Sequence, residues 1–390
     1  MSSTTGSAPG AFGRHLLSLD GIRGLAILWV IPHNALDYLH APPSGVLHLL
    51  AEISHPGWIG VQLFFALSGF LITGGLLDAR GASNYFRAFY ARRTLRIMPL
   101  YYATLVALLI GTLLLRPPAE AARAVSHQLW LWTFLSNWSE AFGVSDLYGF
   151  SHFWSLAVEE QFYLLWPLLV YRLDARRVLM ACGWVILGAF IVRCVLAAIG
   201  TPDGWIYTFT ICRIDALAFG AAGAALLRVP DLRETARKWL KPASWATLGL
   251  FLFGVVITRG YATSELSCQT IGYTILALSS AVLVTGSALA GGTRALIPSL
   301  LSWAPLRSIG KYSYAMYVFH EPLHKLVGLP FLIAHTTAGT IAKAAPWYAL
   351  SIVALCYGLA WLSYHLFEKH FLRMKPDYRA AAQQAFTQAS

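Results

Sequence analysis

A chain of 390 residues with 57% apolar or aromatic and only 12% charged residues departs from soluble domains, which average about 45–50% apolar and about 25% charged. Its 14 Trp, 18 Tyr and 21 Phe exclude disordered, collagenous and coiled-coil classes, which lack aromatic bulk, and a mean hydropathy of +0.57 leaves a polytopic membrane protein. The formal charge of +11 is spread in short clusters between apolar runs, a pattern that suits an anionic membrane surface and not nucleic acid.

Residues 1–16 carry no charged segment leading into a cleavable apolar stretch, so the first apolar run is expected to stay as a span. Crossing about 30 Å of hydrocarbon at 1.5 Å per residue takes about 18 or more apolar residues. Such windows fall near 22–42, 59–79, 98–115, 152–171, 178–199, 208–227, 243–260, 268–290, 311–333 and 347–367. The expected fold class is all-α, a transmembrane helix bundle of about ten spans over residues 17–372, with cytoplasmic tails at 1–16 and 373–390. These spans use up the chain, so activity is expected inside the bundle.

An eleventh stretch, His127–Gly143, is decided by the basic residues, because cytoplasmic loops carry the excess of Lys and Arg. Ten spans with the N-terminus inside leave only Arg116, Arg123, Arg259 and Lys343 in the outer loops. An additional span there would move the clusters at 172–177 and 228–241 outside. The stretch is therefore read as interfacial or re-entrant, consistent with Trp130, Trp132, Phe134 and Trp138.

Ionisable residues at bilayer depth are costly and mark functional sites or structural pairs. In LDGIRGLAILWVIPHN, Arg23 opens the first span and His33 lies ten residues on, about 15 Å deeper, just after the helix-perturbing Pro32. In HFWSLAVEEQFYLLWP, the spacing of four puts Ser155, Glu159 and Tyr163 on one helix face, with Glu160 turned about 100° away. GKYSYAMYVFHEPLHKL carries His320 and Glu321 about 13 Å into its span, with His324 beyond and Lys325 free to snorkel outward. Arg213 and Asp215 in CRIDALAFG read as a candidate ion pair, and Arg193 or Arg213 as a partner for a glutamate. The small residues around Gly220 read as helix packing.

In YFRAFYARRTLRIMPLYY, Arg92 and Arg96 share a face with Arg93 beside them. This cluster fits either topology and anionic lipid or a phosphate site for guanidinium forks. The five cysteines show no metal-ligand spacing and read as small core residues.

Six segments, LDGIRGLAILWVIPHN, GVQLFFALSGFLIT, RRTLRIMPLYY, FWSLAVEEQFYLLWP, RIDALAFG and GKYSYAMYVFHEPL, stand in an order that resembles the acyltransferase-3 family of integral membrane O-acyltransferases. The resemblance implies transfer of an acyl group, commonly acetyl from acetyl-CoA, to a hydroxyl of a sugar or glycoside. Bacterial surface polysaccharide is the expected acceptor and the bacterial cytoplasmic (inner) membrane the expected location. It implies acyl-CoA as co-substrate, with no bound cofactor or metal. The family's basic residue and histidine match Arg23 and His33, and its RxxR motif matches Arg93 and Arg96. The family usually has ten residues between basic residue and histidine; here there are nine, which turns the two side chains about 80° apart on an ideal helix.

Acyl transfer to a hydroxyl needs a base and stabilisation of an oxyanion. His33 is the expected base, Glu159 or Glu160 its orienting carboxylate, and Arg23 the oxyanion or pantetheine partner. Arg92, Arg93 and Arg96 are the expected acyl-CoA site. Ser68 or Ser155 would serve if an acyl-enzyme forms. Tyr163, Arg213, Asp215, His320 and Glu321 are expected at the substrate or behind it. A transporter or flippase for lipid or glycan is the competing class, disfavoured because no paired repeat is visible.

Overall fold

The computed structural model describes residues 16–36, 48, 52–115, 118–144, 147, 149–290, 296–336, 338–376 and 378. Every regular element among them is helical. The long helices are α1 (Leu17–Leu36), α2 (Ile59–Asp78), α3 (Tyr85–Leu115), α4 (Pro118–Trp132), α5 (Trp154–Arg172), α6 (Ala175–Ala198), α7 (Thr210–Leu226), α8 (Pro230–Ile257), α9 (Tyr273–Leu289), α10 (Ala304–Leu323) and α11 (Ala338–Ser363). All except α4 coincide with an expected span. Residues 37–42 of the first expected span, and most of both expected tails, lie outside the described residues.

Seven helical segments of the described chain are long and apolar enough to cross a membrane. The remaining long helices of sufficient length, α1, α5 and α10, fall short on apolarity, and they are the three richest in candidate site residues. The cost of their polar groups is met by burial in the bundle. The outer helices show the reverse pattern, with Trp184, Trp245 and Trp347 each more than 70% exposed, as expected of side chains turned toward lipid.

The stretch His127–Gly143 is not one helix. α4 ends at Trp132, Phe134 takes a positive φ of 54°, and a short turn of helix follows at Ser139–Phe142. Polar contacts tie this segment to α5 and α7: Gln161 Nε2 donates to Phe134 O and to Asn137 Oδ1, both at 2.9 Å, and Asn137 Nδ2 donates to Thr210 Oγ1 at 2.8 Å.

Two close helix crossings set the frame. α2 packs along α7, where a Cβ on Gly69 would strike the Leu217 carbonyl and one on Gly220 the Ala66 carbonyl; small residues there let the backbones approach. α1 packs along α10 in the same way, with Gly310 against the Asp20 carbonyl. The second crossing lays Arg23 and His33 alongside the polar residues of α10.

Candidate active site

A first cavity, about 140 Å³, is lined by Arg23, Ser68, Arg93, Arg96, Glu159 and Tyr163, among others. Its polar groups are linked. Tyr163 donates to Glu159 Oε2 at 2.8 Å and shares a short hydrogen bond with Ser68 Oγ. The Arg93 guanidinium lies 5.5 Å over the Tyr163 ring, and Arg23 Nη1 reaches Asp20 Oδ1 at 2.7 Å. Ser68 thus has a hydroxyl path to a carboxylate 91 positions away in sequence. A neighbouring cavity, about 180 Å³, continues past Arg23 and Arg96 to Lys311 and Glu368.

The chain beyond the short helix Lys369–Arg373 closes on the arginines. Arg92 Nη1 donates to Pro376 O at 2.8 Å, and its guanidinium lies 5.1 Å over the Tyr378 ring. Burial, then the positive charges of Arg96, Arg93 and Arg92, push the Lys375 amine down to about 7. These four basic residues are thus near neighbours.

A second cavity, about 780 Å³, lies at the other end of α1 and is lined by His33, His55, Trp58, His152, Tyr207 and Glu321, among others. His152, just ahead of α5, places Nδ1 2.7 Å from Glu321 Oε2. The same oxygen accepts the His152 backbone N–H at 3.0 Å, while Lys325 Nζ lies 2.5 Å from Oε1. No hydrogen-bond partner for His152 Nε2 is found among the described residues. A carboxylate on one imidazole nitrogen fixes the orientation and tautomer of the ring, as in a carboxylate-oriented base.

The cavities meet at Val61 and Tyr317, which line both. Tyr317 donates to the His152 carbonyl at 2.9 Å and shares a 2.6 Å bond with Ser155 Oγ. One layer of side chains therefore separates the arginines from the histidines.

The structure brings Arg23, Ser68, Arg93, Arg96, Ser155, Glu159 and Tyr163 together, and gathers His33 with Glu321 elsewhere. Glu159 is engaged by Tyr163 and does not share a cavity with His33, so the expected pairing of the two is not formed. Glu160 and Arg92 line neither cavity. Arg213 does not pair with Asp215; Asp215 Oδ2 lies 2.8 Å from Arg193 Nη1. Two residues along a helix is about 200° of rotation, which turns such neighbours apart. His320 is buried, with Nδ1 2.6 Å from Tyr317 O and its ring 4.6 Å from that of His152. Lys325 folds back onto Glu321 where an outward reach was expected. His152 opens the expected span 152–171 but carries no motif or local partner that would single it out in the sequence; the signal present was its position one helical turn before Ser155.

Residues 16–365 match the acyltransferase domain family. Named relatives include YrhL of Bacillus subtilis (strain 168), 29% identical over 91% of this chain and 55% of that protein. The O-acetyltransferase OatA of Staphylococcus aureus (strain NCTC 8325 / PS 47) is 28% identical over 80% of this chain and 51% of its own length. The peptidoglycan O-acetyltransferase OatA of Listeria monocytogenes is 27% identical over 91% and 55%. The chain spans about half the length of these curated relatives, and no solved structure matches it. With the match covering all of α1 to α11, this integral membrane protein belongs to the acyltransferase-3 family.

Proposed function

We propose that the protein is an O-acetyltransferase of the bacterial cytoplasmic membrane that moves an acetyl group from acetyl-CoA to a hydroxyl of a surface glycan. The carrying observation is the pair of polar cavities, one lined by arginines and one by histidines, that meet at Tyr317. The excess of Lys and Arg in loops on the arginine side supports a cytoplasmic orientation for that side, the side that acyl-CoA would approach. Arg92, Arg93, Arg96 and Lys375 would hold its phosphates, and the pantetheine arm would run past Arg23 toward Tyr317. Arg23 offers its guanidinium to the amide carbonyls of the pantetheine arm.

The acceptor enters the larger cavity from the opposite side. His33 takes the hydroxyl proton, and His152, oriented by Glu321, stands in the same cavity as a second imidazole. The hydroxyl oxygen forms a bond to the acyl carbon, the carbon–sulfur bond breaks, and the coenzyme A thiolate takes a proton. A peptidoglycan-type acceptor is supported by the names of the relatives. A second reading is favoured by the Ser68–Tyr163–Glu159 chain: Ser68 Oγ bonds to the acyl carbon as the carbon–sulfur bond breaks, its proton passing by way of Tyr163 to Glu159 and on to the coenzyme A thiolate; the acceptor hydroxyl then bonds to the acyl carbon, the ester bond to Ser68 breaks, and the hydroxyl proton returns to Ser68 Oγ.

The test is coenzyme A release from acetyl-CoA by purified protein with a panel of glycans. Acceptor-dependent release is expected, reduced by about 10²–10⁴-fold in His33→Ala or His152→Ala with thermal stabilisation by coenzyme A retained. Release that persists unchanged in both variants would remove the histidines from the reaction. Glycan movement across vesicles without release would favour the transporter reading.

A further inference from the structure

A guanidinium inside a helix bundle is costly unless a carboxylate or hydrogen bonds compensate it. Arg193 is compensated, by Asp215 at 2.8 Å and by bonds of 2.5 Å to Cys212 O and to Thr274 Oγ1. Arg213 is not. It is 1% exposed, and Nε, Nη1 and Nη2 have no hydrogen-bond partner among the described residues. What holds it is a box of four rings, with the guanidinium carbon 4.3 Å from the Tyr273 centroid, 5.0 Å from Tyr207, 5.5 Å from Trp154 and 5.8 Å from Trp58. Cation–π contact stabilises the charge without neutralising it. With Asp215 already engaged by Arg193, the cluster keeps one net positive charge.

Three of those rings, Trp58, Trp154 and Tyr207, also line the 780 Å³ cavity. Arg213 therefore stands one ring behind the wall on which an acceptor rests. A cation behind a π-system draws electron density toward itself and leaves the opposite face less negative. The remaining charges of the cavity do not oppose this. Among its described lining residues Glu321 is the one carboxylate, and its oxygens already face His152 and Lys325. The field in the cavity is thus positive, and low-dielectric surroundings preserve it.

We infer that this cavity selects an anionic acceptor, a glycan bearing a carboxylate or phosphate, and that Arg213 sets the preference from behind its aromatic wall. This rests on the acyl-transfer reading for the identity of the acceptor. One uncompensated charge about 8 Å from the ligand's own, at an effective dielectric of about 20, gives roughly a tenfold to fiftyfold preference.

The experiment uses the whole protein in phosphatidylcholine nanodiscs, with a glucuronic-acid oligosaccharide and its methyl ester as paired probes. Binding is read without donor, by quenching of tryptophan fluorescence. The acid is expected to bind at least tenfold more tightly than the ester in the native protein. The two should bind alike in Arg213→Met, which keeps the length and removes the charge, while Arg213→Lys restores the preference. Equal binding of acid and ester by the native protein would overturn the inference. So would an Arg213→Met protein that loses both ligands equally, since that marks a purely structural residue. Displacement of the acid by short-chain phosphatidylglycerol at equal concentration would reassign the anion to lipid and overturn the glycan as its source. Turnover with acetyl-CoA separates the two readings: the acid preference in binding without any coenzyme A release would defeat the proposed reaction and leave the preference standing.

Discussion

The arginine cavity and the histidine cavity are built by the same helices. α1 contributes Arg23 to one and His33 to the other; α5 contributes Glu159 and Tyr163 to the first, and His152 stands at its threshold in the second; α10 supplies Tyr317 to both and Glu321 to the second. They differ in size and chemistry. The first is narrow and lined by guanidinium groups, whose donors suit an anionic ligand. The second is over five times larger by volume and carries imidazoles, the side chains suited to moving a proton. The separation of Arg23 from His33, about 15 Å along the helix, thus reads as the division of one reaction between two compartments.

The sharpest way to break that division is to remove charge from the first compartment alone. Replacing Arg93 and Arg96 by Gln removes two guanidinium partners of the donor phosphates, each worth about 1.5–3 kcal/mol as a charge-assisted bond. Donor affinity should fall by at least about 100-fold, seen as a rise in acetyl-CoA KM, while acceptor binding measured without donor is unchanged. Equal loss of donor and acceptor binding would show one coupled site and end the comparison.

Replacing Ser68 by Ala tests whether the first compartment only holds the donor or also takes its acyl group. Direct transfer at the junction predicts a change of no more than about tenfold in turnover, because Ser68 then only helps to fix Tyr163. Abolished turnover, together with loss of a radiolabelled acetyl group that the native protein carries when acceptor is withheld, would establish the acyl-serine route and move part of the chemistry into the arginine cavity.

Much of this arrangement is legible in the sequence, because its signals are local. An apolar window reports a helix wherever it occurs, and all ten expected spans coincide with long helices. The spacing of four from Ser155 to Tyr163 places these residues on the face that lines the first cavity. What escapes is lateral. Helical rise gives depth but does not say which helices stand side by side, so His33 and Glu159 read as partners although they line different cavities. The neighbours Arg213 and Asp215 invite pairing by proximity, yet their spacing of two already argued against it. Lys375 follows the last span, in a segment expected only as a cytoplasmic tail, and only the fold of the chain back onto Arg92 reveals it.

Lys375 also supplies the smallest and most specific test of the comparison. Its amine titrates at about 7 because burial and the neighbouring arginines disfavour its charge, whereas a free lysine titrates near 10.4. An anionic donor favours the protonated form, so binding above neutrality draws a proton onto Lys375. Donor affinity should therefore weaken roughly threefold to tenfold from pH 6 to pH 9, with proton uptake measurable by calorimetry in buffers of different ionisation enthalpy. Lys375→Arg fixes the charge and should flatten this dependence; Lys375→Met should hold affinity near the native high-pH value throughout. A native dependence that survives in Lys375→Arg would have to originate elsewhere. Its survival would remove Lys375 from the donor site and leave the three arginines to hold the donor phosphates.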